Sequence, residues 1–268
     1  MEDYKRKYYE WPNHWSKDFS EIPAQRERLK EIIKAIPNNV ETILDVGCGN
    51  GFFINSLRKS NYKRLVGLDF SREALKHVKV EKVLGNIANL PFENNIFDLV
   101  TCLEVLEHLP QEDFQKGILE LQRVSKKYIL ITVPNDDDLE HSLVMCPKCY
   151  CLFNPYFHMR SFNKEKLKAL FNHYGLTELK AIGPLVKKCP YPLSLLTFYR
   201  SWGKPLPPAT AVCPQCGFRS ADKKAETQRK TSLKRKIFIL LKVLAKLIWR
   251  PKEKKQWLLA LYKKRNDG

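Results

Sequence analysis

Residues 42–51 read Thr-Ile-Leu-Asp-Val-Gly-Cys-Gly-Asn-Gly, an apolar run broken by one aspartate and followed by glycine at every second position. The apolar part suits a buried strand, and Gly51 to Lys59 reads as a helix. Glycines at 47, 49 and 51 let the backbone turn tightly and approach a ligand, while the helix start offers free N–H groups. The dinucleotide fingerprint would place its third glycine at position 52, where this chain has Phe52. No Gly-Lys-Ser/Thr follows, so a phosphate-cradling P-loop is excluded. Asp69 ends a second apolar run 18 residues after Gly51, where an acidic side chain would grip a ribose diol.

Outward from this loop, strands and helices alternate. Leu29, Ile32, Ile33 and Ile36 recur at helical spacing upstream, and Pro37 stops the run. Residues 64–69 read as a second strand, and Ser71 is a good N-cap for the helix after it. Short apolar runs near 82–85, 97–102 and 128–133 supply three further strands, with a helix over 111–124 between the last two. This order predicts βαβ units and a buried, mostly parallel sheet with helices on both faces, a Rossmann-like α/β fold. Beyond Pro134 a helix is expected from Asn163 and a strand over 177–182, and six prolines between 184 and 208 mark a linker.

Asp45-Val-Gly-Cys-Gly-Asn-Gly51 resembles the first motif of class I S-adenosylmethionine-dependent methyltransferases, and Gly67-Leu-Asp-Phe-Ser71 resembles their second. The stretches Asn89–Asp98 and Leu99–Leu109 resemble the third and fourth. The resemblance covers about residues 20–182. It implies a seven-stranded sheet with S-adenosylmethionine over the carboxyl ends of the strands. It also implies cofactor contacts from Asp45, Gly47, Cys48, Gly49, Gly51, Asp69, Phe70, Asn86, Ile87 and Leu103. Asp45, Gly47 and Gly49 would border the methionine moiety, and Asp69 would hold the ribose hydroxyls. Where many members carry Asp before the adenine contact, this chain has Asn86, whose amide still bonds a base edge.

A sulfonium is already an activated methyl donor, so the protein's share is alignment and a base for the acceptor proton. Candidate bases are His108, Glu104 and Glu107, then His158. The same residues 103–109 also read as a helix start whose leucines pack inward. Glu104-x-x-Glu107-His108 is similar to a magnesium-holding arrangement in small-RNA 2′-O-methyltransferases, although His141 and His158 do not match their histidine spacing. Asn154-Pro-Tyr-Phe resembles the signature of enzymes methylating exocyclic amines, but that signature follows the fourth strand, so amine methylation is rejected.

Cys146-Pro-Lys-Cys149 and Cys213-Pro-Gln-Cys216 are two Cys-x-x-Cys turns that would place four thiolates around a structural Zn²⁺. The 64 residues from Cys149 to Cys213 make this a discontinuous ribbon, and Cys151 and His158 are rival ligands. Cys48, Cys102 and Cys189 read as ordinary buried or loop cysteines.

The chain carries 47 Lys and Arg against 29 Asp and Glu, a formal +18. Residues 221–268 hold 16 of the basic and 4 of the acidic residues, a net +12. There Leu233, Ile237, Leu240, Leu241, Leu244 and Ile248 form one helical stripe opposite Lys242, Lys246 and Arg250, and residues 254–264 repeat the theme. An in-plane membrane helix, a helix docked on the catalytic core, or a phosphate-binding arm would each account for this. No signal peptide or membrane span is read, so a cytoplasmic location, with peripheral contact to the inner membrane face, is expected.

The expected organisation is an N-terminal segment (1–38), a methyltransferase core (39–185) with a zinc-knuckle insertion (142–160), a linker with the second knuckle (186–220), and a basic amphipathic tail (221–268). The expected reaction is methylation of an oxygen or similar nucleophile on a small-molecule or lipid/glycan-linked acceptor met at an anionic membrane through residues 232–268. RNA is the alternative acceptor, and a non-catalytic zinc-stapled adaptor the non-enzymatic alternative.

Overall fold

The computed structural model describes residues 8–16, 18–140, 142–188, 211–219 and 252–265. It divides into two compact units. Of the described residues, the larger unit takes 8–137, 159–184 and 255–265, and the smaller takes 138–158, 185–188, 211–219 and 252–254.

The larger unit begins with a one-turn helix α1 (Pro12–Trp15) and α2 (Pro23–Lys34), each with proline in its first turn, where no helical N–H is needed. Then come β1 (Thr42–Val46), α3 (Phe52–Ser56), β2 (Arg64–Asp69), α4 (Arg72–Leu75), β3 (Glu81–Leu84) and β4 (Phe97–Leu103). A 3₁₀ turn (Leu106–His108), α5 (Gln111–Val124) and β5 (Ser125–Pro134) follow. Ser71 caps α4 through its Oγ, which accepts from the Ala74 N–H at 3.1 Å.

After β6 (Val144–Met145) and β7 (Leu152–Phe153) of the smaller unit come α6 (Lys164–Lys168), β8 (Tyr174–Lys188) and β9 (Lys252–Lys264). The sheet order is β3-β2-β1-β4-β5-β9-β8. The first five strands are parallel, and β9 runs antiparallel to β5, with Leu130 opposite Leu261 and Thr132 opposite Leu259. The seven-stranded, mostly parallel α/β sheet is therefore as the sequence predicts.

Each face of the sheet carries its own core. Ile32 of α2 and Ala35 at its C-terminal cap pack with Ile43, Leu99, Leu130, Trp257 and Leu259 on one face. Leu121 and Val124 of α5 pack with Leu44, Val100, Ile129, Leu258 and Tyr262 on the other. Strands covered on both faces read as continuous apolar runs, which explains the almost uniform burial of β1, β4 and β5.

One expectation is corrected. Residues 254–264, read as a repeat of the basic amphipathic helix, lie in β9 between β5 and β8. Trp257 to Tyr262 are all buried, with alternate residues supplying opposite faces of the sheet. Leu258 and Tyr262, or Trp257 and Leu261, sit four apart. That spacing suits a helix stripe and one face of a strand equally, and only pairing with β5 separates the two. The stripe from Leu233 to Ile248, the linker and Cys189 lie outside the described residues.

Candidate active site

The parallel strands deliver their carboxyl ends to one edge, where the motif residues gather. Asp45, near the end of β1, is buried and accepts a hydrogen bond from Thr101 Oγ1 of β4 at 2.7 Å. Burial pushes its carboxyl up to about 7; the Thr101 bond counters this, the Asp69 charge adds to it, and the Arg28 charge opposes it. Gly47 and Gly49 have φ of 73° and 54°, left-handed values that a side chain resists. A Cβ on Gly47 would meet Val105, which follows β4, at 2.4 Å.

Asp69 closes the loop onto β2. Its Oδ2 accepts from the Gly49 N–H at 2.8 Å, and its Oδ1 from the Ser71 N–H at 2.9 Å. Burial again dominates and raises this carboxyl to about 6 against the backbone N–H groups of Ser71, Gly49 and Phe70. Each oxygen keeps a second lone pair for a ligand hydroxyl. Phe70 is 46% exposed beside it.

Cys48 is buried over Gly67, and the N–H of Gly51 donates to the Cys48 carbonyl to close the turn. Asn86, after β3, is exposed, and its Oδ1 accepts from the Ala88 N–H at 3.0 Å. Ile87 is buried and packs on Gly117 of α5. Leu103 is half-buried at the end of β4.

The candidate bases follow at once. Glu104 has φ of 59°, and its N–H donates to the Thr132 carbonyl at 2.9 Å. Its Oε2 lies 3.4 Å from Nη1 of Arg28 in α2, whose guanidinium also stacks over Trp257 at 5.0 Å. Glu107 is buried, and among the described residues neither carboxylate oxygen has a hydrogen-bond partner. Burial and then the Glu104 charge hold its pKa well above the carboxylate range. Its Oε1 lies 3.8 Å from Nε2 of His108, which is partly exposed. A buried carboxylate beside an accessible imidazole is an arrangement that accepts and passes on a proton.

Four residues here carried no motif signal. Arg28 is one charge among several on α2, and Tyr9, Glu10 and Trp15 belong to an N-terminal segment without periodicity. Trp15 lies against Gly49 and the Tyr9 ring against Phe70, while Tyr9 also feels the charges of Glu107 and Asp69.

In the smaller unit, β6 pairs with β7 around Cys146 and Cys149, and Val212 bridges Arg219 around Cys213 and Cys216. The four thiols lie within 4.8 Å of one another; Cys146 Sγ is 3.6 Å from Cys216 Sγ, and Cys149 Sγ is 3.5 Å from Cys213 Sγ. Cys151 turns its thiol toward the Leu152 carbonyl, and neither it nor His158 belongs to this group.

The sheet, with glycine loop and acidic strand end facing one another, is the architecture of class I S-adenosylmethionine-dependent methyltransferases. The chain belongs to the methyltransferase-domain family, whose model matches residues 14–181. It is 30% identical over 165 residues to an uncharacterised protein of Methanocaldococcus jannaschii, covering 59% of this chain and 70% of the relative. A ubiquinone biosynthesis O-methyltransferase of Neisseria meningitidis is 30% identical over 79 residues, a quarter of this chain and a third of that enzyme. A crystal structure of a S-adenosylmethionine-dependent methyltransferase from Archaeoglobus fulgidus shares the fold at a TM-score of 0.53 and 18% identity, covering 96% of this chain and 99% of that one. The protein is a class I S-adenosylmethionine-dependent methyltransferase, and its methyl donor is S-adenosylmethionine.

Proposed function

We propose that the enzyme methylates a hydroxyl oxygen on a small-molecule or lipid-linked acceptor, with Glu107 and His108 taking the acceptor proton. The observation that carries this reading is Glu107, a buried carboxylate with both oxygens unpartnered among the described residues and a raised proton affinity. A sulfonium donor needs only an aligned nucleophile and somewhere for its proton to go. Asp69 would hold the ribose hydroxyls through its free lone pairs, and the loop from Gly47 to Gly51 would carry the methionine part. Asp45, whose proton affinity burial raises, would bond the donor's polar groups together with Thr101. The similarity to a quinone-pathway O-methyltransferase supports an oxygen acceptor. An acceptor met at an anionic membrane, through the stripe Leu233–Ile248, extends this reading, and liposome flotation with and without residues 232–250 tests it. RNA, attracted by the +18 chain, is the acceptor whose labelling would replace it.

The four thiols suit one structural Zn²⁺. At Zn–S distances of about 2.3 Å, a regular tetrahedron separates its sulfurs by roughly 3.8 Å, close to the 3.5 and 3.6 Å found. The ion would join two hairpins far apart in sequence and would take no part in methyl transfer. Labelled methyl transfer into fractionated extracts, with Glu107→Gln as the control, tests the proposed reaction.

A further inference from the structure

Residues 8–16 cross the two loops that carry the donor motifs. A ring carbon of Trp15 lies 2.7 Å from the place a Cβ on Gly49 would take, so the indole stands directly on that glycine. The Trp15 carbonyl accepts from Asn50 Nδ2 at 3.2 Å, and its indole N–H donates to the Tyr9 carbonyl. The Tyr9 carbonyl also accepts from Ser71 Oγ at 2.7 Å. Next to it, the Glu10 carboxylate accepts from the N–H groups of Arg72 and Glu73 at 3.0 and 3.3 Å. The Tyr9 ring meets Phe70 edge-on at 5.3 Å and His108 at 6.3 Å. The segment is thus fastened at Asn50 and again at Ser71–Glu73, and its rings fill the surface between.

We propose that residues 8–16 form a strap that occupies the donor site, so that Trp15 must leave Gly49 before S-adenosylmethionine can enter. This rests on the donor assignment made above. A glycine loop serves a ligand by letting it approach the backbone, and Gly49 offers that face to Trp15 instead. Ring and donor therefore exclude one another. The fastenings are a few hydrogen bonds to partly exposed groups, the kind of contact that opens locally without global unfolding. Donor affinity is lowered by the fraction of molecules with the strap closed, and the Glu10 latch sets much of that fraction.

The test uses the full chain and S-adenosylhomocysteine, with wild type compared to Glu10→Ala and, as a second variant, Trp15→Ala. Loss of the latch is expected to tighten S-adenosylhomocysteine binding by about threefold to tenfold, mainly through faster association. Hydrogen exchange is expected to show that the amides of 8–16 lose protection when the ligand saturates. Thermal melts confirm that each variant is folded before it is titrated. Unchanged or weaker binding in folded Glu10→Ala, or gained protection over 8–16, would overturn the strap, the latter showing a wall that closes on the donor. Tight wild-type binding with either of those results sinks the strap alone. A wild type that binds no S-adenosylhomocysteine removes the donor assignment and the strap together.

Discussion

Replacing Asp69 with asparagine separates a donor-binding role from a structural one. The carboxylate receives one N–H from Gly49 and one from Ser71, and burial raises its pKa to about 6. A rise of about two above the ordinary 3.8 corresponds to roughly 3 kcal/mol of ionisation cost at neutral pH, which asparagine does not carry. Asparagine has one acceptor oxygen, so one of the two N–H bonds is lost, costing about 1–3 kcal/mol. The two effects nearly cancel, and the variant is expected to melt close to wild type. Ligand binding does not cancel. Asparagine keeps one acceptor oxygen, so one ribose hydroxyl loses a charged acceptor worth about 1.5–3 kcal/mol, and S-adenosylhomocysteine affinity should fall by about 10- to 100-fold. Calorimetric titration beside a thermal melt reads both quantities. Wild-type affinity should also rise with pH through about 6, as the carboxylate forms, and the asparagine variant should lose that step. An Asp69→Asn protein that binds within twofold of wild type would refute this role, as would one whose weakened binding tracks a collapsed melting temperature.

Asp45 gives a pH signature of its own. Its folded pKa of about 7 lies above the ordinary 3.8, so ionisation favours the unfolded chain; this group's contribution to stability falls as pH rises from about 4 and levels off above about 7. Asp45→Asn, whose side-chain oxygen still accepts from Thr101, should flatten that part of the melting-temperature profile, and a profile parallel to wild type would count against it. Leu259 is fully buried in β9, and Leu259→Ala should cost about 2–5 kcal/mol in denaturant unfolding. A cost below about 1 kcal/mol would mean that β9 is not in the sheet. Metal analysis of protein purified without chelator should find one zinc per chain, falling close to zero in Cys149→Ser. Full zinc content in that variant would disprove the four-thiolate site.

Much of the fold was legible because each early element had a period of its own and a stop signal. β1, β2, β4 and β5 are short apolar runs, and the glycines between β1 and α3 are required by the turn they make. Asp69 was legible for the same reason, lying at a fixed distance from that turn. β9 was not, because a strand buried on both faces shows an unbroken apolar run, and Lys254, Lys255, Lys263 and Lys264 on its flanks imitate an amphipathic helix. Its partner β5 is more than 110 residues upstream, so nothing local announces the pairing. Glu104 and Glu107 were visible as candidates, but Arg28 was not. Its significance depends on α2 bringing it to within 3.4 Å of Glu104 across 76 residues of chain. The aromatic N-terminal segment was equally silent, since Tyr9 and Trp15 acquire meaning only from Phe70 and Gly49 beneath them.

Transfer of labelled methyl from S-adenosylmethionine into fractionated lipid, RNA and small-molecule extracts tests the proposed reaction most directly. The expected result is an alkali-stable ether in a small-molecule or lipid fraction, reduced by about 100-fold or more with Glu107→Gln while S-adenosylhomocysteine binding persists. Label confined to RNA or to an amine, or equal labelling by Glu107→Gln, would contradict it.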